Sequence, residues 1–197
     1  GSNYIFFDWE SGVDIPTANG DYCIGLVVND GMFDQVATHT KVMTIDNVDP
    51  TAPGILSTST KSYDSITLAF GTESADTRFD AYKIFYKEGI SGVTESDNEF
   101  NIVDDPNLDL ANYGTAATTT ILGLNPNTTY VFNIWAYDVY GNKASSPEEF
   151  TIKTNAQPVN ISADNQYHAD GTTVISNGVW IDDDDVIFSA SVNDQDA

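Results

Sequence analysis

The sequence predicts an all-β protein built as β-sandwiches in tandem, and three observations carry that expectation. Short runs of alternating apolar and polar residues recur along the 197 residues, each bounded by Gly, Asn, Asp or Pro. Tyr, Phe, Trp, Val, Ile and Thr, which suit a pleated, half-buried surface, are plentiful. No segment holds a helical period beyond about two turns, and only Asp104 to Tyr113 has a helical start, at Asp105-Pro106.

Taken in order, Tyr4 to Trp9 is expected as a strand, followed by Gly20 to Gly31 with Tyr22, Ile24, Leu26 and Val28 on one face. Thr38 to Ile45 is a third strand, and Asp49-Pro50-Thr51-Ala52-Pro53 then reads as a rigid, non-pairing linker. Strands are expected to start at Gly54 and to span Ser65 to Phe70 and Phe79 to Lys87. A long acidic excursion, Glu88 to Gly114, precedes Thr118 to Leu122, Thr129 to Tyr137 and Glu149 to Lys153. Towards the C-terminus, Val159 to Ala163, Thr173 to Ile181 and Val186 to Asp194 complete the set.

Charge narrows the function classes. Thirty acidic residues stand against seven basic ones, a formal net charge of −23. Such a surface repels nucleic-acid phosphates and destabilises itself by self-repulsion, which bound cations relieve. Most of the acids are Asp, the carboxylate of turns and of calcium loops. The plainer alternative is a solvated acidic surface suited to brine. No apolar run reaches the length of a membrane span. Cys23 is the sole cysteine, so no internal disulfide forms, and its place on the strand predicts an inert, packed thiol.

The stretch Leu124 to Pro147, with Leu124, Pro126, Thr128 and Tyr130 at alternate positions, resembles the final third of a fibronectin type III domain. The resemblance covers about residues 49–154 and implies an immunoglobulin-like sandwich, with Tyr130 as the tyrosine whose hydroxyl locks a corner. Two departures stand out: Phe70 where that family usually has Trp, and the length of the 88–114 excursion.

The flanks resemble complementary halves of a polycystic-kidney-disease-type, immunoglobulin-like domain. Residues 1–48 run in the order of its C-terminal half, with Tyr22 in the alternating strand, and 155–197 in the order of its N-terminal half, ending in FSASVNDQDA. Either half alone exposes an apolar sheet face and open edges. The halves therefore pair within one molecule, or head to tail between molecules, or the chain is one period of a longer repeat. Short linkers at Asp49–Pro53 and Asn155–Pro158 favour the second and third arrangements.

Candidate calcium ligands follow from Asp-rich turns at the ends of sandwiches, where loops converge. They are Asp182, Asp183, Asp184 and Asp185, then Asp194 and Asp196, then Asp30 and Asp34 in the other half. Asp46 and Asp49 are a further pair at the joint before the middle domain, where ordinary turn chemistry is the alternative.

Catalysis finds no support: His39 and His168 stand apart, and no nucleophile, zinc or phosphate motif occurs. Trp9, Trp135 and Trp180 are expected in cores, although Trp135 and Tyr137 share a face and offer an aromatic strip. Asn127-Thr128-Thr129 and Asn160-Ile161-Ser162 fit the N-glycosylation pattern.

The expected function is a non-enzymatic structural or adhesive module of an extracellular or cell-surface filament, sheath or adhesin, with calcium as its cofactor. Its partners are other copies of itself or neighbouring repeat domains, and no nucleic acid or membrane span. The lack of disulfides points to a bacterial or archaeal surface protein. The alternative is an accessory, glycan-binding region of a large secreted polysaccharide-degrading enzyme.

Overall fold

A computed structural model describes residues 6–29, 31–157, 165–176, 178–182 and 184–189. It contains β1 (Asn19–Leu26), β2 (His39–Asp46), β3 (Ser57–Lys61), β4 (Ser65–Ala69), β5 (Phe79–Glu88), β6 (Asn98–Phe100), β7 (Thr118–Leu122), β8 (Thr129–Asp138), β9 (Lys143–Ser145), β10 (Phe150–Lys153), β11 (Asn165–Tyr167), β12 (Val174–Ile175) and β13 (Ile187–Ser189). One helical turn, α1 (Ser11–Asp14), precedes β1, and α2 (Leu110–Ala116) follows a 3-10 turn at Pro106–Leu108.

The middle of the chain is an all-β, immunoglobulin-like sandwich. One sheet has the order β3-β4-β7; the other runs β10-β8-β5-β6, with β9 also paired to β8. Alternation builds the core. Ile66 and Leu68 of β4, Ile121 of β7, Tyr82 and Ile84 of β5, and Phe132 and Ile134 of β8 all turn inward and are buried. Gly54 and Gly71 let the chain entering β3 approach the end of β4. A Cβ on Gly54 would lie 2.1 Å from the Thr72 nitrogen, and one on Gly71 2.4 Å from the Gly54 carbonyl carbon.

The two departures from the family pattern turn out to be one feature. The 88–114 excursion holds β6, the 3-10 turn and most of α2, capped by the Asp105 and Asp109 carboxylates, which accept from the Asn107 and Ala111 N–H groups. The helix delivers Tyr113 into the core, where its ring stacks on Phe70 at 4.3 Å and on Tyr82 at 3.9 Å. A Trp at position 70 would need the space that Tyr113 fills.

At the opposite pole the Tyr130 hydroxyl accepts from the Asn125 N–H at 2.9 Å and donates to Glu88, tying the turn before β8 to the end of β5. The 49–53 segment pairs more than its prolines suggest: Thr51 N donates to the Ala75 carbonyl, and Ala75 N to the Thr51 hydroxyl.

The flanks form separate small sheets. β1 and β2 make an antiparallel hairpin in register from Asn19↔Asp46 to Leu26↔His39. Tyr22, Ile24, Met43 and Ile45 share its apolar face, with Tyr22 and Ile24 half-buried. β12-β11-β13 is a second small sheet, and no ladder among the described residues joins it to the hairpin.

Several expectations change here. Residues 6–9 are not strand, and residues 4 and 5 lie outside the described set. The Thr173 to Ile181 strand shrinks to Val174–Ile175, because Asp170-Gly171 and Gly178 bend the chain on either side. Cys23 is exposed rather than packed, since its face of the two-stranded hairpin has no covering layer. Trp180, at 97 % exposure, is likewise outside any core, and Trp9 is only partly covered. The strand expected over 159–163 and the Asn160 acceptor lie outside the described residues.

Candidate functional site

The joint between the hairpin and the sandwich gathers carboxylates from three segments. Asp46 ends β2, Asp76 lies in the loop before β5, and Asp138 ends β8; one oxygen of each lies within 4.8 Å of the others. Among the described residues this is the one group of three metal-ligating side chains so placed. Asp46 and Asp138 are buried, at 6 % and 3 % exposure, and Asp76 is half-buried.

Local chain chemistry positions each acid. Asp138 closes the β8–β9 turn, accepting from the Tyr140 and Asn142 N–H groups at 2.9 and 2.8 Å and from the Asn142 side chain at 2.7 Å. The same amide donates to the Asp46 backbone carbonyl at 3.0 Å, fastening hairpin to sandwich. Asp76 accepts from the Arg78 N–H at 2.6 Å, and the Arg78 guanidinium pairs with Asp46 at 3.0 Å while also donating to Asn19. Asn47 closes the base of the hairpin itself by donating to the Ala18 and Ile15 carbonyls.

Three carboxylates thus face one guanidinium. A buried carboxylate is costly unless it is paired or bound to a cation. The surrounding donors are oxygens of carboxylate, amide and carbonyl groups, the set that a hard cation such as calcium takes. These residues fit such an ion.

The other predicted ligands are dispersed. Asp49 is exposed and accepts from the Lys143 N–H at 3.2 Å, beside the cluster but not in it. Asp34 accepts from Asn29 at 2.6 Å within its own loop. Asp182, Asp184 and Asp185 lie exposed on the segment before β13. Asp30, Asp183, Asp194 and Asp196 lie outside the described residues. Tyr22 sits on the hairpin's apolar face. Sequence reasoning reached Asp46 but missed Asp76 and Asp138. The signal was available: in this topology the loops before β5 and after β8 share a pole with the incoming linker.

A second feature concerns the aromatic strip on β8. Residues 89–97 fold over the outer face of the larger sheet, and Val93 packs with Phe85 and Val131, flanked by Trp135 and Tyr137. Two of the seven basic residues hold this strap, Lys143 pairing with Glu95 and Lys87 with Asp97, while Lys83 pairs with Glu99 of the adjoining β6. Glu149 accepts from the Gly92 and Val93 N–H groups at 2.9 and 2.6 Å. The hydrogen bond from Lys143, followed by that from Tyr137, holds Glu95 below the usual carboxylate range. The Thr94 N–H does the same for Asp97, and Asn101, then Lys83, for Glu99. Burial, then Glu95, raises the Tyr137 hydroxyl.

Comparison with known proteins fixes the family. The model described as the fibronectin type III domain matches residues 51–152. The chain belongs to the fibronectin type III family. Modules of this family are structural or adhesive and ordinarily carry no catalysis. Chitinase A1 of Niallia circulans is 29 % identical over 114 residues, which is 58 % of this chain and 13 % of that protein's length. The fibronectin type III domain of the human fibronectin type III domain containing protein 3 is 19 % identical, covering 57 % of this chain and 93 % of that one at a TM-score of 0.41. The chicken CNTN1 FN1–FN3 structure is 16 % identical, covering 70 % and 44 %, at a TM-score of 0.47. No helix among the described residues is long and apolar enough to cross a membrane.

Proposed function

We propose that this fibronectin type III module is a load-bearing or adhesive element of an extracellular or cell-surface filament, sheath or adhesin, with a calcium-stiffened joint at its N-terminal pole. The observation that carries the reading is the cluster of Asp46, Asp76 and Asp138, which draws one acid from the hairpin and two from the sandwich. An ion held there links two structural units rather than decorating one. The exposed apolar residues of both flanks, such as Val42 on the hairpin and Phe188 on β13, support pairing of the flanking sheets, as complementary polycystic-kidney-disease-type halves, between copies or neighbouring repeats.

Extracellular modules bind calcium at about 10⁻⁴ to 10⁻³ M, so millimolar calcium stabilises one site by roughly 0.4 to 1.4 kcal/mol. Size-exclusion chromatography with light scattering, across concentrations in calcium and in EDTA, tests the reading. Growth of particle mass in calcium that collapses in EDTA supports it, with Asp46→Asn and Asp138→Asn blunting the response. A monomer of identical elution in both buffers, with no calcium-dependent change in melting, overturns it.

A second reading, an accessory region of a secreted polysaccharide-degrading enzyme, rests on the similarity to chitinase A1. It needs an open aromatic platform, and the strap over Trp135 weighs against one on the larger sheet. Saturable binding of chitin oligomers would favour this alternative.

A further inference from the structure

We infer that the free edge of β7 docks an extended, basic segment of a partner protein by strand addition. β7 ends the β3-β4-β7 sheet, so one of its sides pairs with no strand among the described residues. The register shows which groups lie on that side. Phe70 N donates to the Ala117 carbonyl at 2.9 Å, continuing the Ala69↔Thr118 register, so Ala117, Thr119 and Ile121 are the positions that bond towards β4. Thr118, Thr120 and Leu122 therefore aim their main-chain groups at the open side. The Asn107 side-chain amide takes up the Thr118 carbonyl at 2.9 Å. Nothing among the described residues bonds to the N–H or C=O of Thr120 or Leu122 on that side.

Two observations set this edge apart. Edge strands are ordinarily blunted by a bulge, a proline, a charge or shortness. β3 has a bulge between Thr58 and Thr60 and ends in Lys61, β10 ends in Lys153, and β6 has only 3 residues. β7 has no charge, proline or bulge, and it is β-branched at every position but the last. Beside it runs a groove of about 490 Å³, floored by Tyr86, Phe100 and Ile121 and walled by Glu99, Asp104 and Asp105. No Lys or Arg lines it. Lys83 pairs with Glu99, and the Asp105 oxygens accept from the Asn107 N–H and the Thr119 hydroxyl. Asp104 is less committed: Oδ2 accepts from the Asn101 N–H, and Oδ1 accepts from no described residue. A strand laid along Thr120 and Leu122 turns alternate side chains into the groove, where a Lys or Arg meets Asp104 and lays its stem over the aromatic floor.

Charge complementarity makes the occupant another protein rather than a second copy. This chain carries a net charge of −23, and Arg78, Lys83, Lys87 and Lys143 of its seven basic residues are already ion-paired. Two copies edge to edge would set their acids against one another. None of Asp46, Asp76 and Asp138 lines the groove, so docking does not depend on an ion at the joint.

The whole chain, ¹⁵N-labelled, is titrated at constant ionic strength with a capped peptide of alternating Val and Lys. Controls are its Val–Glu counterpart and the Val–Lys peptide N-methylated at every residue, which keeps the charge and loses the donors. The expected result is a saturable shift and slowed exchange of the Thr120 and Leu122 amides, with Kd on the order of 1 mM. The Val–Glu peptide binds at least about tenfold more weakly, and the N-methylated one does not saturate. Asp104→Asn, which keeps the acceptor for Asn101, weakens binding about two- to fivefold. Thr120→Pro removes an outward donor that β4 does not use and abolishes binding; Asp104→Asn carries the test if that variant loses its fold. Equal binding of the Val–Glu peptide overturns the proposal, as do shifts spread over the acidic surface and matched by the N-methylated peptide. Concentration-dependent change at Thr120 without any peptide assigns the edge to a second copy and overturns it too.

Discussion

Replacing Tyr113 tests whether the long excursion is part of the core or an ornament on it. Tyr113 is 1 % exposed and stacked between Phe70 and Tyr82, at 4.3 and 3.9 Å. Truncating a buried aromatic to Ala costs about 3–5 kcal/mol. A domain of this size is stable by about 5–15 kcal/mol, and each kcal/mol moves its melting point by about 4–8 °C. Tyr113→Ala should therefore lower melting by at least about 12 °C. Phe70→Trp alone forces a larger ring against Tyr113 and should cost about 1–3 kcal/mol. Together the substitutions exchange one filler for another, so the double variant should be more stable than the summed losses predict, by about 1–3 kcal/mol. Urea unfolding, followed by far-ultraviolet dichroism, gives all four corners of the cycle. Additivity within about 0.5 kcal/mol would refute the coupling. A loss below about 1 kcal/mol for Tyr113→Ala would place α2 outside the core altogether.

Three further outcomes are expected. Tyr130→Phe removes the acceptor of the Asn125 N–H and should destabilise by about 1 kcal/mol in chemical denaturation; an unchanged midpoint would mean that the corner hydroxyl is idle. Gly54→Ala pushes a methyl into the Thr72 backbone and should cost about 1–3 kcal/mol, whereas Gly12→Ala, with open space around it, should not; equal stabilities would contradict the close approach at β3. Glu95 and Asp97 have pKa values held below their unfolded values, so their contribution to the strap is complete at neutral pH and is lost as pH falls through those depressed values. Acrylamide quenching of Trp135 fluorescence, read in a variant lacking Trp9 and Trp180, should rise below about pH 4 before the sandwich unfolds. A quenching constant that stays flat until global unfolding would show that the strap does not depend on these acids.

The sandwich was largely legible because its strands alternate and its turns are punctuated. Thr118 to Leu122 and Ser65 to Ala69 each place two buried residues among exposed or half-buried ones, a period of two that survives without any context. The excursion was opaque for the opposite reason. Leu110 to Ala116 spans only 7 residues, too few to display a helical period, and its Asp109 cap looks like any turn aspartate. Trp180 and Cys23 were misread because alternation identifies a face but not whether a second layer covers it. The joint was half-legible. Asp46 stands out beside a proline-rich linker, but Asp76 and Asp138 are 30 and 92 residues away in sequence, and only the topology of the sandwich brings them to the same pole.

That topology also bears on how the module is used. Its larger sheet has no open outer face at the aromatic patch: the strap covers Phe85 and Val131, Lys87 and Lys143 are committed to holding it, and Lys83 is committed to Glu99 of β6. With three of seven basic residues on that face, most acids elsewhere lack a basic partner, and two acids are buried at the N-terminal pole, where Arg78 pairs with Asp46. A module that binds flat polymers would be expected to keep a sheet face open and its aromatic rings uncovered. One that works end to end should instead close its sides and concentrate its ionic chemistry where the next unit docks. The second pattern matches the strap and the joint, which is why the filament or adhesin reading is preferred over the glycan-binding one. It makes the pole of Asp46, Asp76 and Asp138 the place where substitutions should change assembly without changing the sandwich.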